Sequence, residues 1–304
     1  MEKPNGIVLR SESSIYEGKV FYVDQGKRHW VRSIDWFHRN GFQWEEVVDV
    51  SPEIIYSYRN GGIAPIYTRK DLASVGNNSI DMRDILTSNL SGIGVEFGAG
   101  ASPLAVPLSC QVLYCDMFSY DTLKKNMYPG QNLSDLVFPH YVSDIKNLWN
   151  VANESVDFVI ACHVIEHTNN PIRALDEFHR ILKPGGSLVL IVPDKTRTFD
   201  VDRELTTLDH LVEDYNHPSV ERDRDHYMEF YTKTTFKVPP ENNLDEFVQQ
   251  KQENGGDIHY HTWTYESFQE LVEWHCEKNH WTIDFCHPTL EGPENIEFYF
   301  LLLK

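Results

Sequence analysis

The sequence holds no Cys-x-x-Cys pair, no run of basic residues and no uninterrupted apolar stretch of membrane-spanning length. Its five cysteines, Cys110, Cys115, Cys162, Cys276 and Cys286, are odd in number and irregularly spaced. Such usage excludes a disulfide framework and suits buried thiols in a reducing compartment. Basic residues are few: 27 Lys and Arg stand against 46 Asp and Glu, a formal charge of -19. A field of that sign repels phosphate backbones and anionic lipid surfaces, so neither nucleic acid nor membrane insertion is expected. The opening residues "MEKPNGIVLR" contain no apolar segment of signal length, and a cytoplasmic location is expected.

What is present is a chain of 304 residues with 41% hydrophobic and 24% charged content, enough for one large domain with a small appendage. Residues 1–58 read as a compact β-rich module. "KVFYVD" is a strand, "QGKRHWV" a turn and return strand, and Ser33 is placed to cap a short helix in "SIDWFHRNGF". "WEEVVDVSP" closes the module with another strand. Tyr22, Trp30, Trp36, Phe37, Phe42 and Trp44 supply its expected core, a carbohydrate platform being the alternative use of these rings. Residues 59–79 are rich in turn signals and read as a linker.

From residue 80 the pattern changes. After a helix in "DMRDILTSNL", the runs "GIGVEF", "CQVLYCD", "VDFVIAC" and "GSLVLIVPD" are continuous apolar strands. Ile172, Leu175, Phe178, Ile181 and Leu182 recur at helical spacing between Pro171 and the stop signal Pro184-Gly-Gly. Buried strands alternating with helices predict an α/β fold, a parallel sheet with helices on both faces. "TYESFQELVEWHCEKN" predicts a helix capped by Thr264. "WTIDFCHP" and "ENIEFYFLLL" predict a closing strand pair.

In such a sheet, ligands bind beyond the carboxyl ends of the strands. The loop "EFGAGASP" lies there, and Gly98 and Gly100 permit a tight turn with close backbone approach. Together with "VDFVIACHVIEHTNNPIRALDEFHRILKPGGSLVLIVPD", "LYCDMF" and "YVSDIKNL", it resembles the class I S-adenosylmethionine-dependent methyltransferases, those with a ubiquinone-methylase-like (type 11) core, over roughly residues 90 to 304. The resemblance implies a Rossmann-like sheet and S-adenosylmethionine as cofactor. It implies that the loop Glu96, Gly98, Ala99 and Gly100 wraps the methionine part, Glu96 lying near its amino group. Asp116 and Met117 then lie at the ribose, Asp144 and Ile145 near the adenine, and Cys162 and His163 along the cofactor. Ser102 and Pro103 depart from the commonest glycine-rich form of the loop.

Methyl transfer to an alcohol needs a base near the methyl carbon. His163 and Asp194, at strand ends, are candidates, with Lys195 and Arg197 placed to meet an acceptor. The segment of about 195–262 reads as an insertion that walls the substrate side. It offers His210 and Asp214 on one helical face, then His226, His259 and His261, of which His226 and His261 are the preferred bases. The spacing of a standard zinc site is absent, and no metal is expected. "VPDKTRTFDVDRELTTLDHLVEDY" and "HTWT" resemble bacterial methyltransferases linked with glycan assembly. The expected acceptor is a sugar hydroxyl of a surface glycan or its precursor, or another small hydroxylated molecule, and a homo-oligomer is compatible with the sequence. The alternatives are a small-molecule O- or N-methyltransferase outside glycan metabolism, a binding protein that retains the fold without turnover, and a dehydrogenase. "CHVIEH" and the late strand pair speak against the last.

Overall fold

The computed structural model describes residues 5–11, 18–32, 34–64, 81–129, 136–236, 238 and 243–304. Ser33 and most of the expected linker lie outside them. The chain divides into two compact units, one of residues 1–143 and 156–160, the other of residues 144–155 and 161–304.

The first unit opens with a five-stranded sheet of order β4-β1-β2-β3-β5: β1 is Ile7–Arg10, β2 Val20–Asp24, β3 Lys27–Val31, β4 Val47–Asp49 and β5 Arg59–Ile63. Gln25 and Gly26 both take positive φ (49° and 74°), the turn that matches the twist of a two-residue hairpin. Alternation along β2 sends Val20 and Tyr22 into a cluster with Trp36, Phe37 and Phe42, and Phe21 and Val23 into another with Ile55. Trp36 lies on a short helix, α1 (Ile34–Arg39), and Ile55 on a second, α2 (Pro52–Ser57). The aromatic core is therefore largely as expected, with one correction. Trp44 is half exposed, where Arg10 sits over its ring at 5.9 Å. A second correction concerns residues 59–63. They open the expected linker yet form β5, because Asn60 bonds the Val112 carbonyl (2.9 Å) and Ile63 pairs with Ala105.

The same unit holds α3 (Met82–Thr87) and the strands β6 (Gly92–Phe97), β7 (Cys110–Asp116) and β8 (Tyr141–Val142), with β6-β7 and β7-β8 parallel. The first five residues of β9 (Val156–Cys162) also belong here. Gly94 of β6 is required by close packing, since a Cβ there would run into the Phe158 ring. No helix follows β6: residues 98–109 cross as a loop to β7.

The second unit contains α4 (Pro171–Ile181), whose Asn170 cap accepts from the Arg173 N–H and whose first residue is proline. Ile172, Leu175, Phe178 and Ile181 form its buried stripe. The Pro184-Gly-Gly segment does not separate helix from strand. The strand β10 runs Leu182–Pro193 through it, held by the Gly185 N–H donating to the Lys304 carbonyl (2.7 Å). β11 (Thr282–His287) and β12 (Glu297–Leu303) form the expected antiparallel pair, and β12 also pairs antiparallel with β10. Between β10 and β11 lie α5 (Leu208–Asn216), α6 (Val220–Lys233), α7 (Leu244–Glu253) and α8 (Tyr265–Asn279). Thr264 caps α8 by accepting from the Ser267 N–H. The α/β, Rossmann-like class with its N-terminal β-rich module and closing strand pair is thus what the chain forms. Among the described residues no helix is long and apolar enough to cross a membrane.

Candidate functional site

In the first unit the candidate site is the loop after β6. β6 is buried from Gly94 to Phe97, and Glu96 within it is 1% exposed. Its Oε1 accepts the Leu104 N–H at 2.8 Å, while Oε2 has no hydrogen-bond partner. Burial pushes its pKa up to about 8, against the smaller opposing pulls of the Leu104 N–H and Arg83. Gly98 and Gly100 take φ of 61° and 49°, and a Cβ on Gly100 would collide with the Tyr128 hydroxyl. The Ala99 carbonyl accepts from Ser102 (2.8 Å), closing the turn. Asp116 ends β7, half-buried, with Oδ1 accepting from the Phe118 N–H at 2.9 Å, and Met117 beside it is exposed.

In the second unit Asp144 closes a turn, its Oδ1 accepting from the Lys146 N–H (3.0 Å) and its carbonyl from Asn147. Ile145 and Cys162 are half-buried. His163 follows β9 with φ 52°, a left-handed conformation that a non-glycine residue adopts at a cost. Its N–H donates to the Ile191 carbonyl (2.9 Å), and its Nε2 lies 2.7 Å from Glu297 Oε2. The other ring nitrogen, Nδ1, faces Glu166 Oε1 at 3.7 Å. Glu166 is buried in the short turn Ile165–His167, and neither carboxylate oxygen has a hydrogen-bond partner. His167 Nε2 stands 3.8 Å from the same oxygen, and its Nδ1 pairs with Asp257 at 2.7 Å. Two histidines thus flank one buried carboxylate, each backed by a further carboxylate.

The remaining candidates sit differently. Asp194 has both oxygens engaged, Oδ1 by the Thr196 N–H and hydroxyl and Oδ2 by the Thr289 hydroxyl (3.0 Å). Lys195 Nζ donates to the Val201 carbonyl, and Arg197 to that of Gly292. His259 turns to Asp200 (2.6 Å). His226 and His261, 6% and 0% exposed, instead converge with His210 on Asp214. Burial works against the charge of Asp214, but hydrogen bonds from His210 and His226 outweigh it and hold the carboxyl well below the usual range. Burial pushes the His261 pKa well down, and neighbouring His226 adds to this. Buried and turned to Asp214, His226 and His261 lack the solvent access of His163.

Glu297 is the residue that sequence reasoning missed. The signal was available: it is the acidic first residue of an otherwise apolar strand, "EFYFLLL". Only its placement across from the end of β10, paired with Pro193, brings it to His163.

Residues 81–238 match the model of a family described as "Methyltransferase domain". A stretch of 68 residues is 34% identical to the mitochondrial ubiquinone biosynthesis O-methyltransferase of Dictyostelium discoideum, covering 22% of this chain and 21% of that protein. The match therefore spans about a fifth of that relative's length. Among solved structures, a methyltransferase of Methanosarcina mazei is 18% identical with a TM-score of 0.40, covering 74% of this chain and 99% of its own. Another, from Thermotoga maritima, is also 18% identical, with a TM-score of 0.37 and coverage of 70% and 82%.

The His167 pair yields a pH dependence. Burial alone lowers its pKa, but the Asp257 hydrogen bond and the Glu166 charge prevail and raise it to about 9 from an ordinary 6.5. A raised histidine pKa stabilises the fold fully below pH 6.5, and that contribution is lost as pH climbs through 9. NMR titration is expected to place the His167 midpoint near 9, and Asp257→Asn to move it down toward 6.5. A midpoint unchanged in the variant contradicts the pairing.

Proposed function

We propose methyl transfer to a hydroxyl oxygen from one premise: the chain belongs to the methyltransferase-domain family, whose model its residues 81–238 match. The enzyme is thus an S-adenosylmethionine-dependent methyltransferase. Bound S-adenosylmethionine supplies a methyl carbon made electrophilic by the sulfonium.

The first unit offers donor groups that fit this cofactor. The unpartnered Oε2 of Glu96 suits the ammonium of its methionine part, and glycine at position 100 lets the backbone come close. Asp116, at the strand end, suits two ribose hydroxyls. For Asp144, Ile145, Cys162 and His163 the support is the sequence motif alone.

The observation that carries hydroxyl methylation is the His163–Glu297 pair. Glu297, at 2.7 Å against 3.7 Å for Glu166, accepts the hydrogen bond of the Nε2–H and favours the tautomer in which Nδ1 carries the lone pair. Nδ1 takes the acceptor's hydroxyl proton as the new O–C bond forms, and Glu297 stabilises the resulting imidazolium. The preferred acceptor is a sugar hydroxyl of a surface glycan or its precursor. The net charge of -19, which disfavours phosphate polymers, and the sequence resemblance to glycan-linked methyltransferases support it. A phenolic small molecule is the second reading, favoured by the O-methyltransferase name of the Dictyostelium relative.

With a labelled methyl donor, neutral sugars are expected to gain label and simple phenols not to; label on phenols alone favours the second reading. His163→Ala is expected to lower kcat by about 10²–10⁴-fold. Glu297→Gln should lower kcat and shift the acidic limb of its pH profile. Unchanged kcat in both variants removes the pair from the chemistry.

Glu96 provides a separate prediction. With its pKa raised to about 8 by burial, it holds its proton at neutral pH until an ammonium arrives. Calorimetry of S-adenosylhomocysteine binding in buffers of different ionisation heat should report proton release, abolished in Glu96→Gln. Proton uptake, or release unchanged in the variant, contradicts this role.

A further inference from the structure

Asp214 and the three histidines of the insertion that meet it do not take part in the chemistry above, and their geometry has a use of its own. His210 and Asp214 lie one helical turn apart on α5, His226 on α6, and His261 in the extended segment before α8. Asp214 Oδ2 stands 3.0 Å from His210 Nε2, 3.2 Å from His226 Nε2 and 3.9 Å from His261 Nε2. The first two ring nitrogens are 3.4 Å apart. Four ligand atoms at the corners of a tetrahedron, each about 2.0–2.1 Å from a central zinc, are separated by about 3.3 Å. The observed separations scatter around that edge length.

Two further observations point to an ion. His261 is 0% exposed, its Nε2 faces Asp214, and neither ring nitrogen makes a hydrogen bond of normal geometry. Buried polar groups left in that state are rare and call for a partner. Asp214 is also oriented from behind: Arg222 Nε and Nη2 both hold Oδ1 at 2.5 Å, which leaves Oδ2 directed at the three imidazoles. One oxygen cannot accept well from three rings at once, whereas a cation uses a lone pair from each. Outer groups that fix a ligating carboxylate are a regular part of metal sites.

We propose that His210, Asp214, His226 and His261 bind a zinc ion that pins α5, α6 and the segment at His261 together. Three imidazoles and one carboxylate suit zinc and exclude the oxygen-seeking calcium and magnesium. All four corners are filled by protein, as in structural rather than catalytic zinc sites. The His210 side chain, 43% exposed, is the edge through which the ion enters. The ligands come from three separate elements, so no sequence spacing announces the site, and this departs from the expectation of no metal. The inference is independent of the methyl acceptor.

The test uses the full chain, stripped with a chelator and then equilibrated with zinc or cobalt(II). The wild type is expected to retain about one zinc per chain after gel filtration. It should lose thermal stability on chelation and recover it with zinc, and should show the strong visible absorption of tetrahedral cobalt. His210→Ala changes an exposed ligand and should fold, yet lose more than the roughly 10–100-fold in zinc affinity that an outer-shell change costs. Arg222→Gln should lose affinity within that range. A folded wild type that retains no zinc overturns the proposal, as does a zinc content and chelator response unchanged in His210→Ala and His226→Ala.

Discussion

One hydrogen bond, from the Leu104 N–H to the buried Oε1 of Glu96, sets how the chain leaves β6. It draws the residue after Pro103 back beneath the strand end, while Gly98 and Gly100 supply the left-handed backbone the reversal demands. Pro103 and Pro107 have no N–H for a helix ladder, and the Val106 N–H is taken by the Ile63 carbonyl. The first helix of the usual α/β pattern is therefore absent. The loop is instead tied to β5 of the N-terminal sheet, which makes that sheet a structural neighbour of the loop within one compact unit. The same bond uses one carboxylate oxygen of Glu96 and leaves the other without a hydrogen-bond partner.

Much of this architecture was legible as pattern. β6, β7, β9 and α4 each announce themselves by apolar runs or helical spacing, because most of their apolar side chains are buried. What escaped depends on partners distant in sequence. β5, "RNGGI", has two glycines and no apolar alternation, and becomes a strand through pairing with β3 and contact with β7. β8 is only two residues long. β10 continues through Pro184-Gly-Gly because the chain's last residue, Lys304, supplies its hydrogen bonds there.

The candidate site divides along the same line. Glu96, Gly98, Gly100 and Asp116 belong to short contiguous motifs and could be named from them. The partner of His163 could not, since Glu297 is 134 residues away and reaches it only once β12 pairs with β10. The histidines of the insertion were visible as a group, but not their sorting. His259 turns to Asp200 while His261, two residues on, joins His210 and His226 at Asp214. Sequence adjacency said nothing about which carboxylate each would meet, and Asp194 was claimed by the threonines around it.

The account rests on Asp116 and the Glu96 loop holding S-adenosylmethionine. Its most direct test is calorimetric titration of S-adenosylhomocysteine into the parent and Asp116→Ala, with nicotinamide dinucleotides as controls. The account predicts saturable binding of the sulfur nucleotide alone. It also predicts a loss of about 1.5–3 kcal/mol in the variant, the worth of hydrogen bonds to a charged group. Absence of binding by the folded parent, or equal affinity in parent and variant, would contradict it.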